Sequence, residues 1–390
     1  MKRPLGTNLP LSFIAVAAIA FAETIAYFVI SLFGGMQFYA PLSAVVAFAL
    51  AVYAVLAIFD LFNLRIRRIV FASFAGVCLL AAGVYEINQA YVNSLAEVND
   101  REISLEKYKP FQPESKIAIL DQTSTYKIID ELPRLDGATA LYPLYSAFVQ
   151  AVYPKDDYSV YDFESSTVVC TSTSTAYDRL IDGDTDIIFA AAPSLSQQKS
   201  AKAAGKELVL TPIGREAFVF FVHTRNKVDG LTTQQIKDIY SGKLTNWKQV
   251  GGKRDSIRAF QREENSGSQT MLEKIMEGTP LMAAPQKDVM DVMSGIISQT
   301  ASYRNYKNAL GFSFLFYASE MNSNNEIKLL AVDGVEPGRE SIRSGAYPFA
   351  SEFYAVTAGS SNPHIQPFLD WIVSPEGQEL VAKTGYTPVK

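Results

Sequence analysis

The chain has 390 residues, 48% hydrophobic and 19% charged, with 35 Lys and Arg against 40 Asp and Glu. The charge is unevenly placed, because residues 1–91 hold five basic and three acidic residues (+2) while the remainder carries 30 basic and 37 acidic (−7). This division excludes a single soluble domain, a disordered chain and a nucleic-acid binder driven by bulk positive charge, and two Cys with two His leave little room for a disulfide scaffold or a His/Cys metal cluster.

Three apolar runs come first: Leu11–Phe33, Tyr39–Phe62 and Ile69–Tyr85, the last extended through the interface by Ile87 to Tyr91. A hydrocarbon core needs about 20 such residues per helix, so residues 1–91 are expected to be a membrane anchor of three transmembrane helices. Lys2 and Arg3 precede the first run, Arg65, Arg67 and Arg68 lie between the second and third, and the turn Gly34–Gln37 has no basic residue. The positive-inside rule then makes the N-terminus and the Arg loop cytoplasmic and everything after Tyr91 extracytoplasmic, a multi-pass protein of the cell membrane. Successive long runs do not fit a cleaved signal peptide, and Cys78 in mid-span does not fit a lipid-modified cysteine. Glu23 falls near the middle of the first span, where an ionisable group is costly. It reads as a protonated carboxyl bonded to a neighbouring helix, with a relay or transport role as the alternative.

Residues 92–130 are charged, carry Pro110 and Pro113, and read as a helix-then-extended stalk. Only Cys170 is exported, so the outer part relies on its core rather than on an intramolecular disulfide. Beyond residue 130, short apolar strands such as Phe218–Val222 alternate with amphipathic helices, for example Leu144, Phe148, Ala151 and Val152 after Pro143. That is the pattern of α/β layers, and 131–390 suits two lobes.

Three helices are preceded by similar turns: Asp136-Gly137-Ala138-Thr139-Ala140, Thr171-Ser172-Thr173-Ser174-Thr175 and Asn265-Ser266-Gly267-Ser268. Each offers hydroxyls and backbone N–H groups at the positive end of a helix dipole, which suits an oxyanion. Arg262 adds a planar charged fork. The competing reading is local, since Thr175-x-x-Asp178 and Ser266-x-x-Gln269 match the capping box and each hydroxyl would then only cap its own helix.

These segments also carry a family likeness. LDGATALYP (135–143), GDTDIIFAAAP (183–193), LTTQQIKDIYSGKLTNWKQVGG (231–252), REENSGS (262–268), NALGF (308–312), GAYP (345–348) and FLDWIVSPEGQELVAKTGYTP (368–388) occur in order. Over 131–390 the chain resembles the PstS-like phosphate-binding proteins of ABC importers. The resemblance implies a two-lobed type II periplasmic-binding-protein fold, with lobe 1 about 131–212 and 350–390, lobe 2 about 213–349, and crossing strands near Phe218–Val222 and Phe353–Thr357. It implies inorganic phosphate between the lobes, held by Thr139, Ala140, Thr173, Ser174, Arg262, Ser266, Gly267 and Ser268, with Glu264 orienting the arginine. It further implies ABC permease and ATPase subunits as partners and no cofactor, metal or catalytic residue. Ala191 stands where some members of the family carry an aspartate that accepts the proton of hydrogen phosphate.

Three weaker candidates have structural readings beside functional ones. Trp247 reads as a turn-anchoring core residue, and Arg215-Glu216 as a hinge pair or a surface ion pair. A hydrolase built on Ser266 with His223 or His364 lacks a motif for base and orienter. An anion sensor signalling through the spans is the other alternative. No G-x-x-x-x-G-K-[ST] motif is present in this chain, so the importer reading requires a separate ATPase.

Overall fold

The computed structural model describes residues 5–32, 36, 38–93, 97–99, 104–283, 302–304, 307–321 and 327–389. It divides into two compact units, Met1–Ser94 and Leu95–Lys390.

In the first unit the apolar runs form α1 (Leu5–Leu32), α2 (Tyr39–Ile58) and α3 (Leu64–Asn93). The stretches Thr7–Leu32, Tyr39–Ile58 and Leu64–Tyr91 are each long and apolar enough to cross a membrane. The third run, short by sequence, gains length because α3 begins at Leu64; the three arginines therefore lie in its first turns rather than in a loop. Arg67 pairs with Asp60 at 3.1 Å. Phe13, Phe48 and Leu79 are 78%, 73% and 74% exposed, outward apolar faces that suit lipid. Polar groups join the helices: Ser43 Oγ donates to Glu23 Oε1 at 2.9 Å, Tyr39 donates to Glu86, and Phe38 stacks on Tyr85 at 4.0 Å. Glu23 thus has the interhelical partner that its cost in an apolar span calls for. Lys2, Arg3, Phe33, Gly34 and Gln37 lie outside the described residues, as do residues 94–96 and 100–103 of the expected stalk.

The second unit is built on a mixed sheet of β1 (Leu135–Gly137), β2 (Ile187–Ala190), β3 (Val209–His223), β4 (Arg258–Ala259), β5 (Ala309–Phe314), β6 (Ile327–Leu329) and β7 (Ala350–Thr357). Its order is β1-β2-β7-β3-β5-β4, with β6 also on β3. The outer pairs β1/β2 and β4/β5 are parallel, whereas β7 and β3 run antiparallel to their neighbours. Helices α4 (Tyr142–Val152), α5 (Thr173–Asp182), α6 (Leu195–Ala203), α7 (Thr233–Tyr240), α8 (Gly267–Ile275), α9 (Ile365–Ile372) and α10 (Pro375–Thr384) complete the α/β layers.

Two large apolar cores and two smaller clusters result among the described residues. Of the large cores, one gathers Tyr145, Phe148, Phe189, Phe353 and Trp371; the other gathers Phe218, Phe220, Tyr240, Trp247 and Phe312. Each fully buried side chain of this size contributes about 2 kcal/mol. Strand β3 passes from one core to the other, with Ile213 in the first and Ala217 in the second. The crossing therefore falls at Gly214–Glu216, before the expected Phe218–Val222, which already belongs to the second core. In β7 the same passage lies between Ala350 and Phe353. At the crossing the Phe353 ring covers Gly214 so closely that a Cβ there would come within 2.3 Å of it, so only glycine fits.

Residues 104–130 are a strap on the first core rather than a free stalk, with Leu105, Ile117 and Ile128 buried in it. Glu376 accepts from Ser124 Oγ at 3.0 Å and from the Thr125 amide at 3.1 Å, and Lys383 pairs with Asp121 at 2.5 Å. Apart from one helical turn at Leu105–Tyr108 the segment is irregular, and its apolar side chains pack nonetheless. Trp247 is 1% exposed and donates through Nε1 to Asn308 O at 2.9 Å, which is the role of a core anchor. Arg215 and Glu216 are successive strand residues and face opposite ways. The Arg215 amide donates to Thr387 O at 2.7 Å, while Glu216 is buried and accepts from the Phe316 amide at 2.6 Å.

Candidate functional site

The first turn leaves β1 at Gly137 and enters a tight helical turn, Thr139–Leu141, that leads into α4. No side chain caps this start, and Thr139 and Ala140 are half-buried. Tyr386 donates to Ala140 O at 2.5 Å, so the C-terminal segment braces the turn. The Cys170 thiol, pushed up to about 12 by burial, lies 3.5 Å from Gly137 O and against the Thr139 hydroxyl. It is thus a packing group that ties the first turn to the base of the second.

The stronger tie is Asp136, fully buried in β1. Its carboxylate accepts from the Gly137 amide at 2.7 Å and from both the amide and hydroxyl of Thr171 at 2.8 Å. Arg179 Nε stands 3.1 Å away, a charge pair whose angle falls short of a hydrogen bond. Burial pushes the Asp136 carboxyl above its ordinary range, and these partners oppose that shift. The Thr171 hydroxyl is thereby committed to protein.

In the second turn Ser172 has φ +92° and makes no side-chain cap, so α5 begins at Thr173. This puts Thr175 inside the first helical turn, and the expected Thr175/Asp178 capping box does not form. The first intrahelical bond is Ala176 N to Ser172 O, leaving the Thr173, Ser174 and Thr175 amides at the helix end without intrahelical acceptors.

The third turn differs. Ser266 Oγ accepts from the Gln269 amide at 3.2 Å, so the local cap is real here. It uses a lone pair and leaves the hydroxyl proton free to donate elsewhere. Gln269 does not reach back to the Ser266 amide; its Oε1 accepts from the Arg262 amide at 2.9 Å, pinning the backbone that carries the guanidinium. Arg262 is half-buried and Glu264 is exposed. Asn265, at φ +66°, accepts through Oδ1 from Ser194 Oγ at 2.7 Å.

The second and third turns meet. A Cβ added to buried Gly267 would lie 3.2 Å from Thr173 Oγ1 and 3.7 Å from Ala191 Cβ, a closeness that favours glycine. Helix α5 packs through Ala176, Tyr177 and Leu180 on a smaller cluster with Ile188 and Val356, and α8 packs through Leu272 and Ile275 on the second core, so their N-terminal ends face one another beside Ala191. Convergence of two helix ends, uncapped in α5 and capped by Ser266 alone in α8, makes a concentrated set of N–H and O–H donors, the chemistry of an anion site. Asp136, Asn265 and Tyr386 were not picked out by spacing. A lone carboxylate inside a buried strand was the available signal for the first, and the other two had none.

The double-core α/β architecture is the type II periplasmic-binding-protein fold, and the chain belongs to the PBP superfamily, whose domain model matches residues 131–376. Members are solute-binding proteins. The phosphate-binding protein PstS of Bacillus subtilis (strain 168) is 28% identical over 164 residues, 42% of this chain and 51% of that protein. PstS of Borreliella burgdorferi is 25% identical over 186 residues, 46% of this chain and 66% of the relative. The chain thus spans about half to two thirds of the length of these curated relatives. An ABC-type phosphate transport receptor from Vibrio cholerae, a solved structure, is 18% identical and matches 67% of this chain and 99% of its own with a TM-score of 0.46.

Proposed function

We propose that this protein is a membrane-anchored extracytoplasmic receptor that captures inorganic phosphate, or a similar tetrahedral oxyanion, between its two lobes and delivers it to the permease and ATPase of an ABC importer. The observation that carries the reading is the meeting of the α5 and α8 N-termini at Thr173, Gly267 and Ala191. Thr139, Ala140, Thr173, Ser174, Ser266, Gly267 and Ser268 supply donors, and Arg262 supplies the counter-charge, with Glu264 beside it on the loop. Three spans hold residues 1–91 in the membrane, and lobes centred on the two cores close over the anion. The PstS relatives support phosphate as the solute.

Calorimetry on the full chain in detergent, titrated with phosphate, sulfate, arsenate and molybdate, tests the site. Phosphate is expected to bind, and Arg262→Ala to weaken it at least tenfold, about 1.4 kcal/mol. No heat with any of the four anions removes the proposal. Ala191 leaves no carboxylate to accept the proton of hydrogen phosphate, so selectivity over sulfate is expected to be modest. Ala191→Asp is expected to sharpen it at neutral pH, and equal loss of both anions would show that position 191 does not face the ligand. A sensor role is the second reading, favoured by interhelical bonds that make the three spans one unit rather than a tether. Co-purification of a permease supports the importer, and of a cytoplasmic regulator the sensor.

A further inference from the structure

The loop before α8 is held by protein groups of the opposite lobe at both ends of one residue. Asn265 Oδ1 accepts from Ser194 Oγ at 2.7 Å, and Asn265 O accepts from Gln197 Nε2 at 3.4 Å. Ser194 and Gln197 are the capping box of α6: Ser194 Oγ accepts from the Gln197 amide at 3.1 Å, and Gln197 Oε1 accepts from the Ser194 amide at 2.8 Å. Both residues are 5% exposed. The cap uses the acceptors of this pair. The two remaining donors, the serine O–H and the glutamine NH2, point across to Asn265. A buried donor left without an acceptor costs free energy, so opening the lobes must either break these bonds or admit water to them.

Asn265 also lies in the left-handed backbone region, φ +66°. Asn adopts it more readily than most residues, though with less ease than glycine. Glycine would serve the turn but would leave Ser194 without an acceptor. The side chain is therefore the informative part of this residue.

We propose that Asn265 is an interlobe latch, held by the Ser194–Gln197 capping box, that sets how far the cleft is closed independently of the anion and thereby positions the Ser266–Ser268 turn over the α5 N-terminus. The latch contains no ligand atom, so its contribution to closure is present before binding. A pre-closed cleft raises apparent affinity by the fraction of molecules already competent and slows release by the same bonds. The effect on affinity rests on the anion-capture reading above; the effect on closure does not.

The test uses full-length protein in detergent with one dye on each lobe, at Lys202→Cys and Lys253→Cys in a Cys78→Ala background, and reads the closed-to-open ratio by single-molecule energy transfer. Asn265→Gly keeps the backbone conformation and removes the acceptor; it is expected to lower the ratio about fivefold without anion and to raise the phosphate off-rate about as much. Gln197→Glu keeps the capping box but turns a donor into an acceptor facing Asn265 O, and should act in the same direction from the other lobe. Asn265→Asp retains an acceptor for Ser194 and should restore the closed population, which loss of fold would not permit. If no oxyanion binds, the anion-free ratio still decides the matter. An unchanged ratio in both Asn265→Gly and Gln197→Glu overturns the latch.

Discussion

The two lobes present their helix N-termini to the same point but stiffen them by different means. In the first lobe, the turn before α5 has no side-chain cap and is organised by a buried carboxylate, Asp136, together with a core that includes the 104–130 strap. In the second, the turn before α8 is organised locally, by Ser266 and Gln269, and by contacts reaching over from α6. The contrast shows that one sequence signal, a hydroxyl residue followed three positions later by an acceptor, can be either a working cap or a coincidence. What decides is where the helix begins.

The strap offers the largest way to break the contrast. A soluble fragment starting at residue 131 lacks Leu105, Ile117 and Ile128, and at about 2 kcal/mol for each buried side chain it should be less stable than a 104–390 fragment by roughly 6 kcal/mol at most. Urea melts of the two fragments measure this, and equal midpoints would mean the strap contributes nothing to the first core. Next comes a paired substitution. Asp136→Ala removes the buried acceptor of Thr171 and Gly137, leaves half-buried Arg179 without its partner and frees two turns at once, so a loss of about 2–3 kcal/mol is expected. Ser266→Ala removes a cap, about 1 kcal/mol, together with one of the proposed anion donors. The first should therefore act mainly on stability and the second mainly on anion affinity; thermal melts and calorimetry on both variants separate the two, and the reverse pattern would undo the comparison.

The smallest effect is pH-dependent and again confined to the first lobe. Hydrogen bonds from the Trp371 indole, foremost, and from Thr125 and Ser124 hold the Glu376 carboxyl down to about 2, against an ordinary 4.5. A lowered folded-state value means that this contribution is present above about pH 4.5 and is lost as pH falls from there towards 2. Trp371 fluorescence should report detachment of the strap across that window in the native chain. Glu376→Gln should remove the transition, and its persistence would assign the acid change to another group.

Much of this was legible in residues 1–91, where length and polarity suffice. A span needs only about 20 apolar residues, and the positions of Arg65, Arg67 and Arg68 suggest its orientation. The boundaries of α3 were less accessible, because arginines at a helix start and arginines in a loop have the same composition. In the outer unit, alternation of apolar strands and amphipathic helices conveyed the α/β class, and the three turns were visible because helix starts have local grammar. Hidden from inspection were Asp136, whose partners Thr171 and Arg179 are 35 and 43 positions away, and the strap, whose charges masked three apolar anchors.

Sequence alone therefore determined which residues can donate to an anion, because donor chemistry and helix polarity are properties of short segments. Only the tertiary structure decided that Thr173 and Gly267, 94 positions apart, touch beside Ala191. It also decided which hydroxyl protons are already taken: Thr171 gives its proton to Asp136, while Ser266 caps α8 through a lone pair and keeps its own. The physical reason is that a hydrogen bond depends on distances of a few ångströms in space, and those are set by two packed cores rather than by order along the chain.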